Sequence, residues 1–144
     1  MIRAAVQSDK LRVLMLARAF PSAAGLPFPF SAAHADAIFR ASLEQEDRLC
    51  LVLDVDGLAQ GVLVAEAGPH PFGPFKMATE LMWWIEPAYR GRAARQMITE
   101  YETWAKGRGC LFAHLTGLGE DPAAGRLYQR SGYSAAERHF MKLL

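Results

Sequence analysis

The stretch Leu81-Met-Trp-Trp-Ile-Glu-Pro-Ala-Tyr-Arg-Gly-Arg-Ala-Ala-Arg95 narrows what this chain can fold into more than any other. Its apolar, aromatic beginning predicts a buried strand over Met77–Glu86, ended by Pro87. A short basic turn follows. Ala93, Ala94, Met97, Ile98, Tyr101, Trp104 and Ala105 then recur at helical spacing, which predicts a helix reaching about Arg108. The first N–H groups of a helix have no carbonyl partners and sit at the positive end of its dipole, so such a turn suits a phosphate. Gly91 lets the backbone approach closely, and Arg90, Arg92 and Arg95 add positive charge. Taken alone, the same pattern also describes an ordinary strand–helix connection with solvated arginines.

The remaining chain supplies a frame for that turn. Ile2–Val6 reads as a strand, and Ser8 or Asp9 caps a helix to about Phe20. Pro21–Phe30, with three prolines, is expected as a loop, and Ser31 opens a helix to about Gln45. Leu49–Val55 and Gln60–Ala67 flank Asp56-Gly57, a strong hairpin signal. A second Pro/Gly loop, Gly68–Lys76, leads into the central strand. Leu111–Leu115 is a short strand, and Asp121-Pro122 begins a helix that Gly132 closes. One or two strands are expected within Tyr133–Leu144. The order is that of an α/β (α+β) chain with no repeat or linker, a single domain over residues 1–144.

Composition excludes several classes. A net charge of +1 without a charge block argues against a nucleic-acid track or a polybasic membrane patch. Arg12 and Arg18 interrupt the one run that mimics a secretion signal, and no run approaches the ~18 apolar residues of a membrane span. A cytoplasmic protein is the expectation. Cys50 and Cys110 lie in apolar runs as buried thiols, and no Cys/His spacing suggests a metal.

Two motifs then resemble a known family. Pro87-Ala-Tyr-Arg-Gly-Arg is similar to the start of the pyrophosphate-binding motif of GNAT acyltransferases, Gln/Arg-x-x-Gly-x-Gly/Ala. Ala124-Gly-Arg-Leu-Tyr-Gln-Arg-Ser-Gly-Tyr133 resembles that family's Ala-x-x-Leu-Tyr-x-x-x-Gly-Phe/Tyr motif, and one helix and one strand separate the two, as in the family. The resemblance implies a mixed, mostly antiparallel sheet of six to seven strands with about four helices. Two positions depart from the pattern. Ala93 stands for the first motif glycine and Arg95 for the Gly/Ala position. A positive φ at Ala93 would cost roughly 1–2 kcal/mol, whereas a helical Ala93 would cost nothing.

The resemblance further implies direct transfer of an acetyl group from acetyl-CoA to a primary amine of a small molecule or protein. Dimers are frequent in the family, which makes a homodimer an open expectation. By resemblance, Trp83, Trp84 and Ile85 present backbone groups to the pantetheine arm, while Arg90, Gly91, Arg92, Ala93, Ala94 and Arg95 surround the pyrophosphate. Tyr128 matches the tyrosine that donates to the leaving sulfur, and also contacts the cofactor. Glu80, expected on the same face as Met82 and Trp84, and His114 in the following strand are the two candidates for the base. Asp121 falls where the family often has Asn near the cofactor, and helix capping also explains it. The bland readings are a strand-end charge for Glu80, a core or edge histidine for His114 and a core aromatic for Tyr128. Two other functions compete: a catalytically silent CoA-binding or protein-interaction domain, and a nucleotide-binding regulatory module, which lacks any Walker or GxGxxG support.

Overall fold

A computed structural model describes residues 1–117 and 122–144. Five strands form one sheet in the order β1-β2-β3-β4-β5: β1 (Ile2–Ala4), β2 (Arg48–Val55), β3 (Leu58–Pro69), β4 (Lys76–Ile85) and β5 (Cys110–His114). The first three pairings are antiparallel and β4–β5 is parallel. Four helices flank it: α1 (Lys10–Ala23), α2 (Ala32–Glu44), α3 (Arg92–Gly107) and α4 (Pro122–Arg130).

Alternation along the strands sends side chains to two cores. On one face Leu51, Leu63 and Ala78 pack with Met97 and Tyr101 of α3, and Leu127 of α4 borders the cluster. On the other, Val52, Val62 and Val64 pack with Val13 and Leu16 of α1 and Phe39 of α2. At roughly 1.5–3 kcal/mol per fully buried large side chain, these two cores dominate the stability of the domain.

Local chemistry sets the connections. Asp56 (φ 52°) and Gly57 (φ 81°) make the two-residue turn between β2 and β3, where positive φ at both positions matches the twist of the strands. Ser31 caps α2 by accepting from the His34 N–H at 3.2 Å.

Three expectations differ from the structure. The helix expected to stop at Phe20 continues to Ala23 with Pro21 inside it. Pro21 has no N–H to give the Ala17 carbonyl, so the last turn forgoes one ladder bond, but the helix continues past it and the Ala24 N–H still reaches the Phe20 carbonyl. The sheet has five strands among the described residues rather than six to seven, because Tyr133–Leu144 contains no strand. Cys110 is half-buried rather than buried, although both thiols are free. Asp121 lies outside the described residues.

Candidate active site

The parallel ladder between β4 and β5 ends early. Its last pair is Thr79 with His114, while β4 continues to Ile85, so among the described residues no strand lies beside that edge of β4 from Glu80 onward. A β-bulge accompanies the opening. Val64 pairs with Met82 and Ala65 with Glu80, which leaves Leu81 without an opposite residue.

That extra residue inverts the alternation and corrects the expected face of Glu80. Met82 and Trp84 pack with α1 and α2, whereas Glu80 lies with Ala78, Trp83 and Ile85 on the α3 side. His114, paired with Thr79, belongs to the opposite face, since Ala113 and Ala78 point to the α3 core. The sheet therefore separates the two candidate bases.

Glu80 is only 6% exposed. The Thr116 N–H donates to its Oε2 at 3.0 Å, but burial outweighs that bond and pushes the carboxyl up to about 7. The carbonyl of Thr116 accepts from the Tyr128 hydroxyl at 2.9 Å. The Tyr128 ring stacks on Trp83 (centroids 6.1 Å, interplanar angle 21°), and the Trp83 indole N–H donates to Met97 Sδ. The main chain of one residue, Thr116, thus joins the carboxyl to the phenol. The Tyr101 hydroxyl donates to the His114 carbonyl and fixes the end of β5 where the strands part. The Nδ1 of His114 is buried without a hydrogen-bond partner among the described residues.

The free edge is selective about backbone groups. The Glu86 N–H bonds to the Gln60 carbonyl, so Glu86 and, two residues back, Trp84 direct their backbone toward β3. Trp83 and Ile85 direct theirs into the opening. This corrects the expectation for Trp84, whose main chain is used within the sheet. Its indole instead faces the α1 side, edge-on to Phe20 at 6.3 Å and 4.8 Å beneath the Arg90 guanidinium. Arg90 Nε donates to the Ile85 carbonyl at 2.9 Å, so this arginine folds back over the end of β4.

A single 3-10 turn, Pro87–Tyr89, then carries the chain to Gly91, which precedes α3 with φ 97° and ψ −111°. The strained torsion falls on that glycine. Ala93 is the second residue of α3 and takes no positive φ, and Arg95 is exposed one turn in. Among the described residues, the N–H groups of Gly91, Arg92 and Ala93 make no hydrogen bond, and no side chain caps the helix. The Ala94 N–H turns back to the Gly91 carbonyl and its methyl is buried. The arrangement offers donors and dipole to an anion beside the open strand edge. No cluster of three metal-ligating side chains and no helix able to cross a membrane exist among the described residues.

Thr116 and Tyr101 were not singled out from sequence. Thr116 acts through its main chain, which carries no residue signature, and Tyr101 read as one of the apolar positions of α3.

An open edge beside a parallel strand pair, with an uncapped basic helix start at its end, defines an acyl-CoA-dependent acyltransferase fold. The model of the acetyltransferase (GNAT) family matches residues 15–133, and the chain belongs to that family. No curated protein matches the sequence significantly. Among solved structures, a transcriptional regulator from Bacillus halodurans C-125 is 24% identical, with a TM-score of 0.80 over 100% of this chain and 99% of that one. A predicted acetyltransferase from Clostridium acetobutylicum, solved with acetyl-CoA, is 13% identical (TM-score 0.80; 100% and 95% covered). AAC(6')-Iy, in complex with a CoA–acetylneamine bisubstrate analogue, is 18% identical (TM-score 0.79; 100% and 97% covered). At these identities the likeness establishes the fold.

Proposed function

We propose that the protein is an N-acetyltransferase that moves an acetyl group from acetyl-CoA directly to a primary amine, with Glu80 as base and Tyr128 as acid. Membership of the family makes acetyl-CoA the donor. The residues present fit it. Trp83 turns its main-chain groups into the opening and Ile85 its N–H, the Ile85 carbonyl being taken by Arg90, and the bare N–H groups of Gly91, Arg92 and Ala93 suit a diphosphate. Arg92 and Arg95 add charge there, while Arg90 stays tied to Ile85 and Trp84.

The observation that carries the reading is the placement of a buried carboxyl and a phenol on one side of the opening, joined through Thr116. An ammonium must lose a proton before it attacks, and a carboxyl near pH 7 accepts that proton without being locked in its charged form. The departing thiolate needs a proton, which a phenol can give. Burial of Glu80 keeps water from competing for the base. Tyr128 would release the Thr116 carbonyl to donate elsewhere, a rotation about one torsion. The acceptor is an amine of a small molecule or a protein, as the acetylneamine moiety bound by AAC(6')-Iy illustrates for that enzyme.

The test is release of free thiol from acetyl-CoA across a panel of primary amines, with coenzyme A affinity measured in parallel by calorimetry. Amine-dependent thiol release is expected. Tight coenzyme A binding with no release for any amine would convert the reading to a silent binding domain, and no binding would remove it.

A further inference from the structure

Arg90 stands at the mouth of the opening with part of its fork unspent. Its Nε donates to the Ile85 carbonyl at 2.9 Å, and its guanidinium lies 4.8 Å from the centre of the Trp84 ring. Two contacts at different atoms fix both the position and the plane of the ion. Among the described residues, Nη1 and Nη2 make no hydrogen bond or ion pair, although the side chain is exposed. Carboxylates on the α1 side are engaged elsewhere: Glu86 with Arg12 at 3.2 Å, and Asp36 with Lys10 at 3.0 Å and Arg40 at 3.2 Å. A guanidinium held in this way offers the paired Nη groups to a carboxylate, which they can take bidentately.

Back along β4 from this ion, the α1 face is apolar. Met82 and Trp84 border the α1–α2 core but stay partly exposed, and Phe20 meets the Trp84 ring edge-on at 6.3 Å. The Trp84 indole N–H is buried without a partner among the described residues, a donor that an oxygen atom beside it would satisfy. Trp84 lies four residues beyond Glu80, about 13 Å along the strand. Resting on the acetyl transfer proposed above, we infer that the acceptor is a primary amine with a carboxylate several carbons away. The carboxylate docks on Arg90, the methylene chain lies along Trp84 and Met82, and the amine enters the opening toward Glu80.

Length and charge both select. An α-amine beside its own carboxylate is too short to reach from Arg90 to Glu80, whereas an ω-amine on a flexible chain is long enough. A second ammonium at the far end would meet Arg90 as a like charge, so diamines and polyamines are disfavoured. The donor does not need this arginine. The N–H groups of Gly91, Arg92 and Ala93 serve the diphosphate at the start of α3, with Arg92 and Arg95 beside them. Arg90 instead turns back over the indole of Trp84 on the α1 side.

The experiment compares three amines of equal length: ε-aminocaproate, its carboxamide and the corresponding diamine. It measures kcat/KM for each in the wild type, Arg90→Gln and Arg90→Lys, with coenzyme A affinity by calorimetry in parallel. The wild type should favour the carboxylate over the carboxamide by about tenfold or more, and disfavour the diamine. That preference should fall to near one in Arg90→Gln and be intermediate in Arg90→Lys, which keeps the charge without the fork. Because the preference is a ratio within each variant, partial loss of folded protein cancels from it. A wild type that does not favour the carboxylate overturns the inference. So does a preference that survives Arg90→Gln, or a loss confined to coenzyme A affinity, which would place Arg90 on a phosphate of the donor. If no amine is acetylated, the proposed function fails, and calorimetry of ε-aminocaproate into protein saturated with coenzyme A decides this point by itself. Binding that Arg90→Gln abolishes supports the inference, and absence of binding overturns it.

Discussion

The Thr116 N–H donates to Glu80 Oε2 at 3.0 Å, and among the described residues this is the one polar contact holding a carboxyl that the bulge at Leu81 has turned into the α3 side of the sheet. The bond favours the carboxylate, burial favours the acid, and burial prevails. A proton acceptor near pH 7 results.

The role proposed for Glu80 predicts the pH dependence. In the wild type, kcat/KM should rise as pH increases through about 7, where the carboxyl ionises. Glu80→Gln should lower kcat by about 10²–10⁴ and lose that limb, whereas His114→Ala should keep it. A Glu80→Gln profile that retains the limb assigns the base elsewhere.

The same group makes a stability prediction of definite sign. Its folded pKa, about 7, lies above the ordinary 4.5, so the folded protein holds the proton more tightly than the unfolded chain. Its contribution is fully present below pH 4.5, declines as pH rises through about 7 and is absent above. The rise from 4.5 to about 7 corresponds to about 3 kcal/mol at most. Denaturant titrations at pH 5 and pH 8 should show this loss in the wild type and a flatter response in Glu80→Gln.

Tyr128→Phe separates chemistry from packing. The ring keeps its stack on Trp83, and the lost hydrogen bond to the Thr116 carbonyl costs about 1 kcal/mol. We expect a fall in Tm of a few degrees, coenzyme A affinity unchanged, and kcat reduced by about 10²-fold. Wild-type turnover would remove the phenol from the mechanism.

How far the sequence discloses this site depends on whether a feature is carried by side-chain type or by register. The Asp56-Gly57 turn, the capped α2 and the amphipathic α3 are visible because particular residue types are needed there. The strand-to-helix turn was legible for the same reason. The face of Glu80 was not, since one unpaired residue, Leu81, reverses every assignment beyond it and bulges have no residue requirement. Nor was the tie of Arg90 to the Ile85 carbonyl and the Trp84 ring: the arginine reads as a phosphate ligand when the fold that redirects it is unseen.

Gly91 carries the positive φ before α3, while Ala93, at the first glycine position of the family pattern, is already helical. Gly91 has φ 97°, and a methyl there would meet nothing within 4 Å, so any penalty is torsional. Gly91→Ala should cost about 1–3 kcal/mol or shift the turn, and weaken coenzyme A binding by roughly tenfold or more. Ala93→Gly should not strengthen binding, because residue 93 is already helical; it should lower stability by about 1 kcal/mol. Calorimetry on both variants decides the point, and a clear gain in affinity for Ala93→Gly would mean that the methyl obstructs the diphosphate.

Far from the opening, Arg3 holds the amino-terminal strand in place through two carboxylates. Its Nη1 and Nη2 fork onto Asp9 at 2.7 and 2.9 Å, and its Nε reaches Asp54 Oδ2 at 2.8 Å. Asp9 is 7% exposed and also accepts the Val6 N–H. The Arg3 hydrogen bonds hold the Asp9 carboxyl below its ordinary range, outweighing burial. The stabilisation is therefore present above the ordinary value of 3.8 and lost as pH falls through the depressed one. Arg3→Lys cannot reproduce the fork and the third bond together, and Arg3→Met strands a buried carboxylate, at a cost of about 3 kcal/mol. Urea unfolding at pH 7 should rank wild type above Arg3→Lys above Arg3→Met. The gap between wild type and Arg3→Met should close toward pH 3 as Asp9 takes up its proton. A gap independent of pH would mean that Arg3 contributes through its packed stem and not through its charge.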